Sequence, residues 1–278
     1  VDGVSDFRHD AMNTHISDRE FGQFQRFIFN AAGITMSPTK KALVCGRLAK
    51  RLQAHELESY GEYLALLDSG EVPDEVQTAV DLLTTNETYF FREPKHFELL
   101  RKVAGSARGG VGPFRIWSAA SSSGEEAYSM AMVLEDSIPG GWEVMGSDIS
   151  VRMLRRAATG HFPLERTRNI PTDYLKRFCL KGMGDQDGTL LINKALRNRV
   201  SFMQVNLNET LPTLGTFDMV FLRNVMIYFN GDTKRQVVGR VLSALKPGGY
   251  FCVGHSESLT DIPNALEAVA PSIYRKPA

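Results

Sequence analysis

Apolar residues at Phe21, Phe24, Phe27 and Ile28 recur at helical spacing. They follow Ser17-Asp18-Arg19-Glu20, in which Glu20 stands three residues after Ser17 as a capping box requires, and Gly33 ends the run. Ser37-Pro38-Thr39 opens a second helix that runs to His55, and 60–67 and 76–83 are two further amphipathic stretches. Residues 1–15 are polar and patternless and read as a loose tail, so 16–85 is expected to be a small all-helical domain. A linker spans 86–113, with a helix around 97–100 and a flexible connector at 104–113.

From Phe114 the pattern changes to short apolar runs alternating with helical segments, as in an α/β sheet with helices on both faces. Strands are predicted at 114–117, 142–147, 200–205, 217–222, 250–254 and 272–275. Helices are predicted from Ala127 onward, at 151–158 and at 233–245, the last closed by Lys246-Pro247-Gly248-Gly249. The α/β domain therefore covers 114–278. The alternation breaks at 160–199, where Pro163, Pro171, a helical piece at 173–178 and an Asp187-Gly188 turn into 189–192 predict a small inserted antiparallel β-subdomain. It serves either partner recognition or no function of its own.

The chemistry concentrates at strand ends. The first strand runs into six small residues, 118–123, and Gly124, and then a helix. This suits a ligand loop, where small side chains admit a ligand to the backbone and the helix start offers free N–H groups; it also suits an ordinary tight turn. The dinucleotide pattern G-x-G-x-x-G is absent, with Ala119 and Ser121 or Ser122 in place of glycines, which disfavours a nicotinamide-dependent dehydrogenase. Asp148 ends the second strand, 24 residues beyond Gly124, where nucleotide-binding sheets place an acid for ribose hydroxyls; as an alternative Asp148 or Ser150 caps the next helix. Asn206 and Asn224 end later strands on the same edge. In the second helix Lys40, Arg47 and Arg51 share a narrow sector with Lys50 at its margin, opposite Ala42, Cys45, Leu48, Ala49 and Leu52. That face is either solvated or a dock for an acidic partner.

Charge balance narrows the classes. With 32 basic and 32 acidic residues the net charge is zero, which argues against a general nucleic-acid or membrane binder. Three scattered cysteines show no metal-ligand spacing and fit a reducing, cytoplasmic setting, so no metal is expected. No run reaches the roughly 18–20 apolar residues of a membrane helix, and no signal peptide is recognisable. The chain starts at Val1 rather than Met, which points to a native N-terminus removed or replaced.

The long motifs TTNETYFFRE (84–93), WSAASSSGEEAYS (117–129), FLRNVMIYF (221–229) and LKPGGYFCVGHSES (245–258), in this order behind a helical unit, resemble those of the chemotaxis receptor glutamate methyltransferases, CheR. The resemblance implies a Rossmann-like, seven-stranded S-adenosylmethionine-dependent methyltransferase sheet with an N-terminal helical domain and an inserted β-subdomain. It implies a cofactor site at Asn86, Thr88, Arg92, Glu126, Asp148, Asn206, Leu207, Arg223 and Asn224, with Glu126 rather than Glu125 as the contact. Asp148 would hold the ribose and Asn206-Leu207 would frame the adenine. Arg92 and Tyr228 match positions near the transferred methyl group. Arg47, Lys50 and Arg51 match a face that meets the cytoplasmic helices of chemoreceptors, and the insert matches one that captures a receptor C-terminal peptide in some members. Two other readings remain beside it: a non-catalytic adaptor that binds the cofactor, and a methyltransferase of another substrate. His255 is tempting as a base, but a carboxylate acceptor needs none, and a structural role is the stronger expectation.

Overall fold

A computed structural model describes residues 15–107 and 112–278. The tail expected at 1–15 and the middle of the connector expected at 104–113 lie outside them, apart from their edges. Four helices come first: α1 (Asp18–Ala32), α2 (Lys41–Ala54), α3 (Tyr60–Ser69) and α4 (Pro73–Leu83). The Ser17–Glu20 capping box is formed in both directions, and Gly33 closes α1 in the left-handed region. Phe24, Ile28, Val44, Leu48, Tyr63 and Ala79 form the core of this unit.

The phase of α2 differs from the helical-wheel expectation. Its buried stripe is Val44, Leu48 and Leu52, while Ala42 and Ala49 are exposed. Pro38–Lys40 forms a separate 3-10 turn, and Arg47 and Arg51 flank the buried stripe beside α4 rather than standing opposite it. Their charges are used internally, as described below.

Next come α5 (Pro94–Ser106), β1 (Phe114–Ser118), α6 (Glu125–Ser137), β2 (Trp142–Asp148) and α7 (Val151–Thr159). Helix α5 is much longer than expected, because Val103 and Ala104 still pack on the core and Gly105 does not break it. The insert holds β3 (His161–Pro163), α8 (Thr172–Phe178), β4 (Cys179–Lys181), β5 (Thr189–Ile192) and α9 (Lys194–Arg197). Its strands form a separate antiparallel sheet in the order β3-β5-β4. Gly182 is required there, since a Cβ would stand 1.9 Å from the Gln186 carbonyl oxygen.

The chain returns through β6 (Val200–Gln204), β7 (Phe217–Leu222), α10 (Gly231–Ser243), β8 (Leu245–Val253), β9 (Glu267–Ala270) and β10 (Ile273–Arg275). The seven-stranded sheet has the order β6-β2-β1-β7-β8-β10-β9. Strands β6, β2, β1, β7 and β8 are mutually parallel, and β10 runs against both of its neighbours. One sequence expectation is corrected, and one strand lies where the pattern predicts none. Lys246-Pro247-Gly248-Gly249 lies within β8, because Leu245 already pairs with Phe217. Strand β9 was not anticipated, since all four of its residues are exposed and carry no alternation.

Side chains of β1 divide the core between the two faces. Ile116 packs with α5 and α6, whereas Trp117 packs on the α10 side and stacks on Phe217 at 5.5 Å. Parallel pairing of Ser118 with Gly146 and Phe221, and of Asp148 with Gln204, brings the ends of β1, β2, β6 and β7 to one edge. That edge is the topological switch of the sheet, where open α/β folds bind ligands.

Candidate active site

A cavity opens at this edge. Its floor is the loop after β1, and its rim takes in the exit of α1 at Ala32 and Ile34 and the junction after α4. The helical unit is tied to the sheet around it. Thr35 N–H donates to Tyr228 O at 2.8 Å, and Ile34 bridges Phe229. Asn206 Nδ2 donates to Ala31 O at 2.8 Å.

The loop after β1 is built by its own hydrogen bonds. Trp117 Nε1 donates to Ser147 Oγ at 2.9 Å, Ser147 Oγ donates to Ala119 O at 3.1 Å, and Ser121 N–H donates to Ser147 O at 2.8 Å. Small side chains are needed for packing as well as for access. Gly124 has φ +96°, and a Cβ there would lie 2.9 Å from the Ala157 Cβ. Ala119, Ala120 and Ser122 face the cavity, whereas Ser123 turns to Glu125.

Asp148 is set rigidly. Its Oδ2 accepts the Ser122 N–H at 2.8 Å and its Oδ1 the Ser150 N–H at 2.9 Å. Ser150, not Asp148, caps α7, by accepting the Met153 N–H. Burial raises the Asp148 pKa above the usual carboxylate range, against the two backbone donors. Each oxygen keeps a lone pair for a hydroxyl donor.

At the other end, Arg223 is an almost fully enclosed guanidinium. It pairs with Glu126 at 2.9 Å and Glu93 at 3.1 Å, and donates to the Arg92 carbonyl. Ser118 Oγ supports Glu126 at 2.7 Å. Burial raises the Glu126 pKa, opposed by Arg223. Burial also disfavours the Glu93 charge, but Arg223, the His255 N–H and Asn224 outweigh it and hold that pKa low. Glu125 points the other way, with no exposed surface, to Arg166 of the insert at 2.6 Å.

Arg92 lines the cavity, and its guanidinium donates to Glu87 O at 3.3 Å. Both of its neighbours, Phe91 and Glu93, have positive φ, as do Ser122 and Asn224 around the same cavity. Such backbone is costly for residues other than glycine and gathers at ligand sites. Tyr228 lines the wall nearest the helical unit.

All nine residues assigned to the cofactor by resemblance line this one cavity, and Tyr228 joins them. The side-chain amide of Asn206 is committed to Ala31, Glu209 and Asn208, so Asn206 has mainly its backbone to offer a ligand. Arg47, Lys50 and Arg51 lie outside it. Arg47 donates to Leu83 O and Thr84 O at the end of α4, Arg51 is paired with Glu75, and Lys50 is exposed. Glu93 and Glu257, to which the sequence pattern assigns no role, organise this site through hydrogen bonds to backbone groups. The acids within FFREP and HSES were the only available signal.

Glu93, His96 and His255 bring ligand-type atoms within 4.8 Å of one another. The Glu93 oxygen they share already faces Arg223 at 3.1 Å, so a cation there would stand against a buried guanidinium.

The donor set fits an S-adenosyl amino acid. Asn206 and Leu207 follow β6, Asp148 ends β2, and Arg223 and Asn224 follow β7. In the order β6-β2-β1-β7 these groups span three strand spacings, roughly 14 Å. Apolar walls at Val205 and Leu207 suit a nucleobase, Asp148 suits a ribose diol, and Arg92, Glu126 and Arg223 suit a zwitterionic amino acid.

The sequence matches two family models, "CheR methyltransferase, all-alpha domain" over residues 19–84 and "CheR methyltransferase, SAM binding domain" over residues 86–274. It is 38% identical over 265 residues to a chemotaxis protein methyltransferase of Escherichia coli K12, covering 93% of this chain and 91% of that protein. It is equally 38% identical over 265 residues to chemotaxis protein methyltransferase 2 of Pseudomonas aeruginosa, covering 94% of each.

Proposed function

This chain belongs to the CheR methyltransferase family, and from that premise we propose that it transfers a methyl group from S-adenosylmethionine to glutamate side chains of chemoreceptors. The observation that carries the reading is the order of groups along the sheet edge: base wall, ribose acid, then a cluster of charges for an amino acid beside Arg92 and Tyr228.

When bound, the cofactor supplies an electrophilic methyl group on a sulfonium and leaves as a neutral thioether. A glutamate with a pKa of about 4.3 is already a carboxylate at neutral pH, so the protein need not remove a proton. His255 is not among the residues lining the cavity, in keeping with that economy. What remains is orientation and exclusion of water, which together supply roughly 7–11 kcal/mol in favourable cases. Among the described residues the Arg92 guanidinium gives only one of its five donors to the protein, and it can fix the incoming carboxylate in its planar fork. Tyr228, held through Thr35 to the helical unit, offers an aromatic edge and a hydroxyl at the sulfonium end.

The partner reading follows the same line. The helical cytoplasmic region of a receptor would lie across the helical unit, with Lys50 as the exposed charge of the Arg47, Lys50 and Arg51 group. The insert leaves β4 as an open edge beside exposed Leu180 and Met183, which suits addition of a receptor C-terminal peptide as a further strand. No helix among the described residues is long and apolar enough to cross a membrane.

Incubation with methyl-labelled S-adenosylmethionine and receptor cytoplasmic fragments tests the reading. Label released as methanol by mild base is expected. Binding of the cofactor with no label on any matched receptor favours the adaptor alternative, and base-stable label favours another acceptor.

A further inference from the structure

The turn after β8 carries a buried carboxylate that the reaction leaves without a role. Glu257 is 8% exposed and is absent from the cavity lining. Its Oε2 accepts the Asn224 N–H at 2.8 Å and the Gly254 N–H at 2.7 Å, and its Oε1 accepts the Ile227 N–H at 3.3 Å. These are charge-assisted bonds to backbone donors, the stronger kind. Asn224 and Ile227 bracket the segment that begins after Arg223 and ends at Tyr228.

The segment needs such a splint. Asn224 holds φ +57°, an unfavourable conformation for a side-chain-bearing residue, and it lies two residues past the end of β7, where the ladder can no longer hold it. Gly254 lets the two segments meet, because a Cβ there would stand 2.5 Å from Asn224 Nδ2 and 2.8 Å from Glu257 Oε2. From the opposite side Glu93 Oε1 takes the Asn224 Nδ2 at 3.3 Å. Asn224 is thus gripped by one carboxylate on its main chain and another on its side chain.

We infer that Glu257 is a positioning residue for methyl transfer: by holding the Asn224 and Ile227 N–H groups it fixes Asn224 against the cofactor and Tyr228 against the reacting methyl group. The inference rests on the function proposed above, and it assigns to Glu257 no contact with either substrate.

Glu257→Ala is compared with Glu257→Gln, alone and in a Tyr228→Phe background, by receptor methylation and by calorimetric titration of S-adenosylhomocysteine. Glu257→Ala is expected to lower kcat about tenfold and to weaken S-adenosylhomocysteine about fivefold through Asn224. In the Tyr228→Phe background its further effect on kcat should shrink to about twofold or less, because both act through one group. Glu257→Gln can keep its oxygen on Asn224 and Gly254 and turn its amide toward Ile227, so it should retain affinity and lose part of kcat. If Glu257→Ala does not fold, Glu257→Gln decides, and wild-type kcat in that variant overturns the inference. Folded Glu257→Ala with unchanged kcat and affinity overturns it too, as do losses that simply multiply with Tyr228→Phe. If the wild type binds S-adenosylhomocysteine but labels no receptor, the substrate reading has failed, and the affinity of Glu257→Ala still decides the role of Glu257.

Discussion

Arg152 donates twice to Asp81 across the two halves of the molecule, once from its main chain and once from its side chain. Asp81 Oδ2 accepts the Arg152 N–H at 3.0 Å, and Arg152 Nη2 donates to the Asp81 carbonyl at 3.1 Å. Asp81 Oδ1 takes the Val151 N–H at 3.1 Å, and Ser150 takes that of Met153. An acid from α4 thereby satisfies free donors at the start of α7, a few residues beyond Asp148, where the helix dipole also favours a negative charge.

Asp81→Ala is therefore expected to cost about 2 kcal/mol of stability and to weaken S-adenosylhomocysteine several-fold, since the end of β2 loses its outer support. Asp81→Asn keeps one acceptor and should lose about half as much. Urea unfolding and calorimetry check both values.

Arg51 and Lys50 are adjacent in sequence and opposite in consequence. Arg51 pairs with Glu75 through two bonds of 2.7 and 2.5 Å, and Glu75 is nearly buried and also takes the Tyr63 hydroxyl at 2.5 Å. Removing Arg51 leaves that carboxylate without its cation. Arg51→Ala should cost about 2–3 kcal/mol, discounted for the partial exposure of the arginine, with cofactor affinity unchanged. Lys50→Ala should leave stability within about 0.5 kcal/mol and raise the KM for receptor. Thermal melts and KM values separate the two.

These two residues also mark how far the sequence could be read. Charge and spacing identified a basic group on α2, but not that Arg51 and Arg47 are spent on Glu75 and on the end of α4, because their partners lie 24 and 36 residues away in the chain. The parallel strands and the acid at Asp148 were legible, since continuous apolar runs and strand ends leave a local pattern. Helix α5 was cut short by its glycine, and β9 was missed because an exposed edge strand has no inward face to alternate. The roles of Arg92, Arg223 and Tyr228 come from resemblance alone, because no periodicity in the sequence marks them. Glu93 and Glu257 act on backbone groups of distant segments, and such work leaves no periodicity in a sequence.

His96 is wholly buried, with neither ring nitrogen hydrogen-bonded among the described residues. Burial, with Arg223 nearby, lowers its pKa from 6.5 to about 4. The unfolded chain takes up a proton near pH 6.5 that the folded protein refuses, so this group's contribution is intact above that pH and is lost as pH falls toward 4. The loss amounts to roughly 3 kcal/mol. His96→Phe, which can keep the edge contact with Phe221, should flatten the stability profile across that window by about one proton. Denaturation midpoints at several pH values measure it.

Arg92 and Tyr228 should separate rate from binding. Arg92→Lys loses the planar fork and is expected to lower kcat about 100-fold with a change of about threefold or less in S-adenosylhomocysteine affinity. Tyr228→Phe should lower kcat about tenfold. Steady-state kinetics beside calorimetry show whether the losses fall on kcat.

Everything in the account depends on where the nucleoside lies, and Asp148 reports that most directly. Titration of S-adenosylhomocysteine into the wild type and Asp148→Ala by calorimetry, with both shown folded by circular dichroism, is the decisive comparison. Saturable one-to-one binding by the wild type and a loss of about 100-fold in the variant are predicted, the worth of two hydroxyl bonds to a charged acceptor. No binding by the wild type, or equal affinity in the two proteins, would contradict a ribose held at the end of β2.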